Sequence, residues 1–530
     1  MKKLIQSVGS LISIAAITSL SSTAIAAKPD KKSMASTNQQ YGSYVILGQS
    51  PAGENIAIAR TVIETDRTCP TVSRPGQVKT TPMITRENPN HFSVLVCEAL
   101  IGFDKNYQIN FSDRSIALPV AKSNPVNIQV FGDSGCKAKD CAINTPAEPF
   151  KSLADAGAAD KPDLVLHMGD FNYRGTSGKT YFSERQSNGE MKQVQQWPYD
   201  AGDGLDSKAH CGQTADTPFY SQSATNSNRP DIWRNWKDDL FTAGQKLLAA
   251  APWITARGNH ELCSRAGPGY FYFMDPNTNL TEGGQQWSCP TPHVDRGTFE
   301  NTTQPPSYKV SFQNLDILMM DSANACDNFS NSDYTELFAA EFAEINSFAN
   351  SEDKQTWLVT HRPIWGIEPY KALESTPCDS SDQYACVGQM MQKAIEAQPA
   401  GALADNIDLV ITGHMHKFQS VSFPGEGRPA NLIVGSSGVA LAGGAPYGDT
   451  ELMIDGLNAE VLSTATQVAF AGENYAAFSF MRMQLTEDGG WEGLLVNPAK
   501  DLILAQCSNE PVSAQGVCRL APGISVPVQK

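Results

Sequence analysis

Two imidazoles one residue apart, in Gly413-His414-Met415-His416, close the apolar run from Asn406 to Thr412. Imidazole nitrogen is a metal donor, and two of them at the mouth of a strand suit two neighbouring cations. Gly413 lets the backbone turn sharply there and approach whatever is bound. Four further strand ends carry donors: Gly132-Asp133-Ser134-Gly135, Gly169-Asp170-Phe171-Asn172-Tyr173, Gly258-Asn259-His260-Glu261 and Leu358-Val359-Thr360-His361. Singly, each has a bland reading. A Gly-Asp pair after a strand is most often a turn whose Asp accepts backbone hydrogen bonds, and a lone strand-end His is most often structural. Together they bring carboxylate, amide, phenol and imidazole to one edge of one sheet, where open α/β sheets bind ligands. Four of the eight histidines in the chain lie in these motifs, so chance clustering is a poor explanation.

The elements that position these groups follow from the hydrophobic pattern. From Val126 onward short apolar runs alternate with amphipathic ones, the signature of an α/β domain. The strands are Asn127–Phe131, Leu164–His167, Trp253–Thr255, Leu315–Met319, Thr356–Val359, Leu409–Ile411 and Leu432–Val434, with helices near Trp233–Ala250, Thr335–Phe348 and Val387–Ala397. Ala476–Met483 and Gly493–Val496 return to strand. Before this domain, residues 41–122 read as all-β, with short strands at Ser43–Leu47, Ile56–Arg60, Phe92–Cys97 and Ile109–Phe111, and their spacing suits a small sandwich. Two polar, Gly-rich stretches, from about Arg174 to Asp231 and from Cys263 to Ser307, read as long loops that wall a substrate pocket. The expected organisation is a signal peptide at 1–26, a flexible polar segment at 27–40, the β domain at 41–122, the catalytic domain at 123–500 and a tail at 501–530.

Composition limits the partners. Lys2 and Lys3, the uncharged Leu4–Ala26 run and the small-x-small end Ala24-Ile25-Ala26 predict export, to periplasm or medium. No later run approaches the ~18 apolar residues of a membrane span. Twelve cysteines in an exported chain predict disulfides. Cys136 with Cys141, Cys378 with Cys386, and Cys507 with Cys518 suit small local loops. Cys69 with Cys97 would staple two strands, and Cys263 with Cys289 would close a loop. Cys211 and Cys326 remain, and the connectivity stays open. No CxxC pair occurs, which argues against a cysteine zinc site. The net charge of −16 argues against nucleic acid or an anionic membrane as partner, and an anionic substrate would need a local positive centre.

In their order and content the five motifs resemble the calcineurin-like metallophosphoesterase superfamily, and within it the purple acid phosphatase branch, whose pattern is DxG, GDxxY, GNH with D or E, VxxH and GHxH. The turn Gly435-Ser436-Ser437-Gly438 fits as well. The resemblance implies a two-sheet αββα sandwich. It implies one metal held by Asp133, Asp170, Tyr173 and His416, and a second held by Asp170, Asn259, His361 and His414, with Asp170 bridging. Gly135 stands where most of the superfamily carry a ligating His, and Tyr173 supplies a phenolate instead, a donor suited to Fe(III). The second ion would be divalent iron, zinc or manganese. Two cations about 3.5–4 Å apart clamp the attacking and leaving oxygens of a phosphoryl displacement and acidify water into a hydroxide nucleophile. His260 would lie beside the phosphate as the catalytic group.

One departure concerns the segment Arg362–Tyr370, which lacks the further histidines usual in the family. Arg362, Tyr370, His210 and His293 are the candidate substitutes for substrate binding. The resulting expectation is an exported acid phosphatase acting on small phosphate monoesters. The alternatives are a phosphodiesterase or nucleotide-hydrolysing enzyme on the same site, and a non-catalytic cell-surface binding protein.

Overall fold

A computed structural model describes residues 40–530 except 90–91, 137–140, 142–143, 174–179, 186–190, 197–230, 264–265, 290–302, 328–331, 351–353, 370–383, 444–447, 465, 499–500, 510–516 and 528–530. The signal-like segment, His210, His293, Tyr370, Cys211 and Cys378 therefore lie outside the described residues.

Strands buried on both faces read as continuous apolar runs, because each face needs its own cover. The runs Leu164–Leu166 and Leu409–Ile411 have this character, as do Ile128–Phe131 and Leu315–Met319 apart from the buried Gln129 and Asp316, and they form the centres of two sheets. In the first sheet Asn127–Phe131, Leu164–His167 and Trp253–Thr255 run parallel side by side. In the second, Leu315–Met319, Gln355–Val359, Leu409–Thr412 and Arg428–Val434 are also parallel neighbours. Alternation along each strand decides the layers. Ile128, Val130, Leu164 and Leu166 face Ile317, Trp357, Val359 and Ile411 in the core between the sheets. Phe131 and Val165 point the other way, onto Phe150, Leu153 and Leu247 of the helices Phe150–Ala159 and Gln245–Ala250. Leu318, Leu358 and Val410 meet Phe338, Phe342, Met390 and Met391 of the helices Ser332–Phe348 and Gln389–Glu396. Helix, sheet, sheet and helix are stacked in that order, the expected αββα sandwich. Each fully buried side chain of this kind contributes about 1.5–3 kcal/mol.

The all-β segment after Gln40 is present, but its main strands do not form a separate sandwich. Gln40–Gln49 pairs antiparallel with Asn55–Glu64, which pairs with Val94–Ile101, and Gln40–Gln49 also lies parallel to Trp253–Thr255 with Ile46 opposite Trp253. These strands thus extend one side of the first sheet, which has eleven strands in all among the described residues. The reason is legible in Tyr44-Val45-Ile46-Leu47, which is apolar at every position. Val45 and Leu47 enter the core between the sheets, while Tyr44 and Ile46 enter the outer layer. Only Thr71–Ser73, Thr81–Pro82, Gln108–Asn110 and Ser115–Ala117 form a small sheet of their own. The expected tail likewise joins the first sheet through Leu502–Ser508 and Cys518–Leu520, with Cys507 opposite Cys518 and bonded to it.

Disulfides also join Cys69 to Cys97, Cys136 to Cys141 and Cys263 to Cys289. Cys326 and Cys386 are disulfide-bonded as well. The expected helix over Trp233–Ala250 is broken into Trp233–Trp236, a π-turn at Lys237–Phe241 and Gln245–Ala250. Two helices escaped the pattern reading. Phe150–Ala159 is rich in Ala and Gly, and Gly267–Phe273 lies inside the stretch taken as a long loop. Its opening Gly267-Pro268-Gly269 reads as a turn, yet Pro is well tolerated in the first turn of a helix. Among the described residues no helix is long and apolar enough to cross a membrane.

Candidate metal centre

All five motifs follow directly on strands of the two sheets, and the layering brings their strand ends together. The donor atoms of Asp133, Asp170 and His416 lie within 4.8 Å of one another, and so do those of Asp170, His361 and His414. Asp170 belongs to both groups. These are the two sets expected from the sequence, completed by Tyr173 and Asn259. The Tyr173 hydroxyl lies 2.9 Å from Asp133 Oδ1, 2.7 Å from Asp170 Oδ2 and 3.0 Å from His416 Nε2. Asn259 Oδ1 lies 3.0 Å from His361 Nε2 and 2.8 Å from His414 Nδ1.

The donor chemistry fits cations. The Tyr173 hydroxyl has three of the other donor atoms within hydrogen-bond reach. On the other side, His361 Nδ1 is 2.5 Å from the Met168 carbonyl and donates to it, which leaves Nε2 facing Asn259 Oδ1 and, at 3.4 Å, Asp170 Oδ1. An amide oxygen, carboxylates, a phenol and imidazoles thus converge, all of them groups that ligate a cation once the protons between them are lost. The charges agree. Burial first, and then the Asp170 carboxylate, push Asp133 up to about 8. Burial, Asp133 and Asp170 likewise push the Tyr173 phenol far up. Burial opposes ionisation of Asp170, but His361 and His260 more than offset it and hold that carboxyl well below its usual range. Burial lowers His361, and Asp170 overcomes it, raising the imidazole to about 9. The cluster retains protons that bound cations would displace.

Backbone strain is concentrated here. Asp133 (φ 57°), Asp170 (φ 57°), His414 (φ 74°) and His416 (φ 51°) all adopt the left-handed region, which costs a non-glycine residue about 1–3 kcal/mol. The candidate donor side chains themselves tie the strained turns together. Asp133 Oδ2 accepts the His414 N–H at 2.8 Å, and Asp170 Oδ1 accepts the His260 N–H at 2.8 Å. Two glycines are required by space. A Cβ on Gly135 would stand 2.5 Å from the Phe171 carbonyl oxygen and 2.8 Å from the Tyr173 ring, so the close approach of the two Gly-Asp turns leaves no room for a side chain there. A Cβ on Gly258 would overlap the Asp170 carboxylate.

His260 is buried and packs against Tyr173, with ring centroids 3.9 Å apart and the planes tilted by 39°. Arg362 is brought to the site, but its Nη1 is engaged by Asp327 Oδ1 at 2.7 Å and lies 3.1 Å from His414 Nε2. Sequence reasoning missed three contributors. Glu261 accepts the N–H groups of Asp170, Phe171, Asn172 and Gly258 at 2.8–3.1 Å and so shapes the Asp170 turn. Its signal is the acid that follows Gly-Asn-His. Asp327 lies on no recognisable motif. His167 ends the Leu164–His167 strand, receives the Gly169 N–H on Nδ1 and donates from Nε2 to Ser134 Oγ at 2.9 Å, bridging the two Gly-Asp turns.

Burial holds His167 neutral, with its pKa lowered to about 3. Unfolded histidine titrates near 6.5. Between about pH 3 and 6.5 the unfolded chain therefore binds a proton that the folded chain does not, and stability falls as pH falls. The slope from this residue is roughly 1.4 kcal/mol per pH unit, absent above pH 6.5. His167→Phe should lose stability at pH 7.5 through its hydrogen bonds yet show a shallower decline from pH 6.5 to 5 than the wild type. Guanidinium denaturation at the three pH values measures this, and parallel declines would refute it.

The calcineurin-like phosphoesterase family matches residues 127–418. No curated protein matches the chain. Among solved structures the chain is similar to a purple acid phosphatase from yellow lupin (Lupinus luteus) seeds, at 14% identity and a TM-score of 0.44, over 88% of this chain and 73% of that one. The family match spans more than half of the 530 residues and runs from the first strand that carries a candidate donor past His416, so the chain belongs to the calcineurin-like phosphoesterase family.

Proposed function

We propose that the protein is an exported hydrolase of small phosphate monoesters that uses two metal ions and is related to the purple acid phosphatases. The observation that carries this reading is the sharing of Asp170 between two donor groups. Asp133, Asp170, Tyr173 and His416 would hold a trivalent iron, because carboxylate and phenolate are hard anionic donors. Asp170, Asn259, His361 and His414 would hold a divalent ion, iron, zinc or manganese. Two such ions neutralise phosphoryl oxygens and acidify a water molecule, the charge that a chain of net −16 otherwise lacks at the site.

The chain's own residues then divide the work. The Asp133 and Asp170 carboxylates and the Tyr173 oxygen set the negative charge that holds the cations. Glu261 and the two Gly-Asp turns fix where those oxygens point. His260, packed against Tyr173, would face the phosphate and stabilise charge or protonate the leaving oxygen. Arg362, tied to Asp327, is less suited to a direct substrate role than its sequence position implies. The disulfides favour an oxidising compartment, in keeping with export.

A monoester and a diester of the same leaving group separate this reading from its nearest rival. The monoester should be hydrolysed at least tenfold faster, and a diester preference would identify a phosphodiesterase. Tyr173→Phe should abolish the visible absorption of a tyrosinate–iron pair while leaving the fold intact. A wild type and variant with the same spectrum would remove the phenolate from the ligand set.

A further inference from the structure

His414 has two neighbours competing for one nitrogen. Its Nδ1 faces Asn259 Oδ1 at 2.8 Å, on the side of the proposed divalent ion. Its Nε2 lies 3.0 Å from Asp327 Oδ2 and 3.1 Å from Arg362 Nη1. A carboxylate there accepts an Nε2–H, whereas a guanidinium would donate to an Nε2 lone pair. The first arrangement leaves Nδ1 bare for a cation, and the second places the ring proton on Nδ1 and blocks it. Arg362 Nη1 carries two N–H groups and reaches both Asp327 Oδ1 and His414 Nε2, so the tautomer is set by whether the carboxylate or the guanidinium holds Nε2. The Arg362 Nη1 contact to Asp327 Oδ1, at 2.7 Å, is the shorter and charge-assisted one. Asp327 thus satisfies the arginine with one oxygen and receives the His414 proton with the other.

We propose that Asp327 is a positioning residue that selects the metal-binding tautomer of His414 by accepting its Nε2–H while drawing the Arg362 guanidinium onto the same carboxylate. This rests on the two-metal reading above. Asp327 lies after the Leu315–Met319 strand, its carbonyl accepting the N–H groups of Gly388 and Gln389, outside every motif that marks the site. Outer carboxylates of this kind typically affect metal affinity 10–100-fold. The arrangement here predicts something more specific than a lost hydrogen bond. Once Asp327 is gone, Arg362 is left with His414 Nε2 as its partner, so the arginine itself becomes harmful.

Calorimetric titration of the metal-stripped full chain with Zn(II) tests this. The wild type should show two binding events. Asp327→Ala should weaken one of them 10–100-fold, the same event that His414→Ala abolishes, and leave the His416-dependent event unchanged. Asp327→Ala/Arg362→Met should recover at least part of the affinity, which a merely structural role would not allow. Asp327→Asn, which keeps shape and one acceptor, should fall between wild type and Asp327→Ala and serves if the alanine variant does not fold. Two wild-type events with unchanged affinities in Asp327→Ala or Asp327→Asn would overturn the inference alone. A double variant as weak as or weaker than Asp327→Ala would do the same. Fewer than two wild-type events would overturn the two-metal reading and the inference with it.

Discussion

Asp170→Asn should empty both halves of the site at once. Asp170 is the one residue common to the two donor groups. Asparagine has the same shape, tolerates the left-handed backbone that residue 170 adopts at φ 57°, and keeps an oxygen to accept the His260 N–H. The substitution therefore removes charge and little else. Cations in such sites supply several kcal/mol of transition-state stabilisation, and each 1.36 kcal/mol is tenfold in rate, so hydrolysis should fall by roughly 10³-fold or more. Metal content and monoester turnover measured on the same preparation check this. A variant that retains two metals and wild-type turnover would show that Asp170 does not bridge.

The largest loss of stability should come from Glu98→Gln, away from the chemistry. Glu98 Oε2 lies 3.0 Å from Arg60 Nε and 2.7 Å from Arg86 Nη1, and Thr278 Oγ1 donates to Oε1 at 2.6 Å. Both arginines and the glutamate are almost wholly buried. The guanidinium groups also bind the carbonyls of Phe271, Phe273, Asp275 and Asn277, so the network ties the first strands to the end of the Gly267–Phe273 helix and the segment after it. Glutamine keeps the size but leaves two buried cations with only Asp275, 4.0 Å from Arg86, as a nearby anion, which costs about 3–5 kcal/mol. Burial works against the ionised Glu98, and the two arginines overcome it and lower its pKa. Its stabilisation is therefore present above the ordinary glutamate range and is lost as pH falls through the depressed value. Guanidinium denaturation near neutral pH should show the deficit. A loss below about 1 kcal/mol would mean that the charges are solvated or matched elsewhere.

The candidate site was largely legible in the sequence because each motif follows a strand and four of the five open with glycine. Short-range signals of that kind survive in a one-dimensional reading. Asp327 did not, because it reaches His414 only through the folding of one loop against another strand end. Glu98 and Arg60 were readable in principle: each is a lone charge in an apolar strand, and they stand opposite each other in the register. The α/β core was legible from its apolar runs. The place of the first strands was not, since the spacing of short strands suits a free sandwich as well as a sheet extension. The all-apolar Tyr44–Leu47 run, which needs cover on both faces, was the deciding feature.

The most direct test of the two-metal, tyrosinate-bearing site is elemental analysis of the purified full chain together with its visible spectrum. The expected result is two metal ions per chain, at least one of them iron, with an absorption band that Tyr173→Phe abolishes. One metal or none per chain, or two metals without iron or visible absorption, would contradict it.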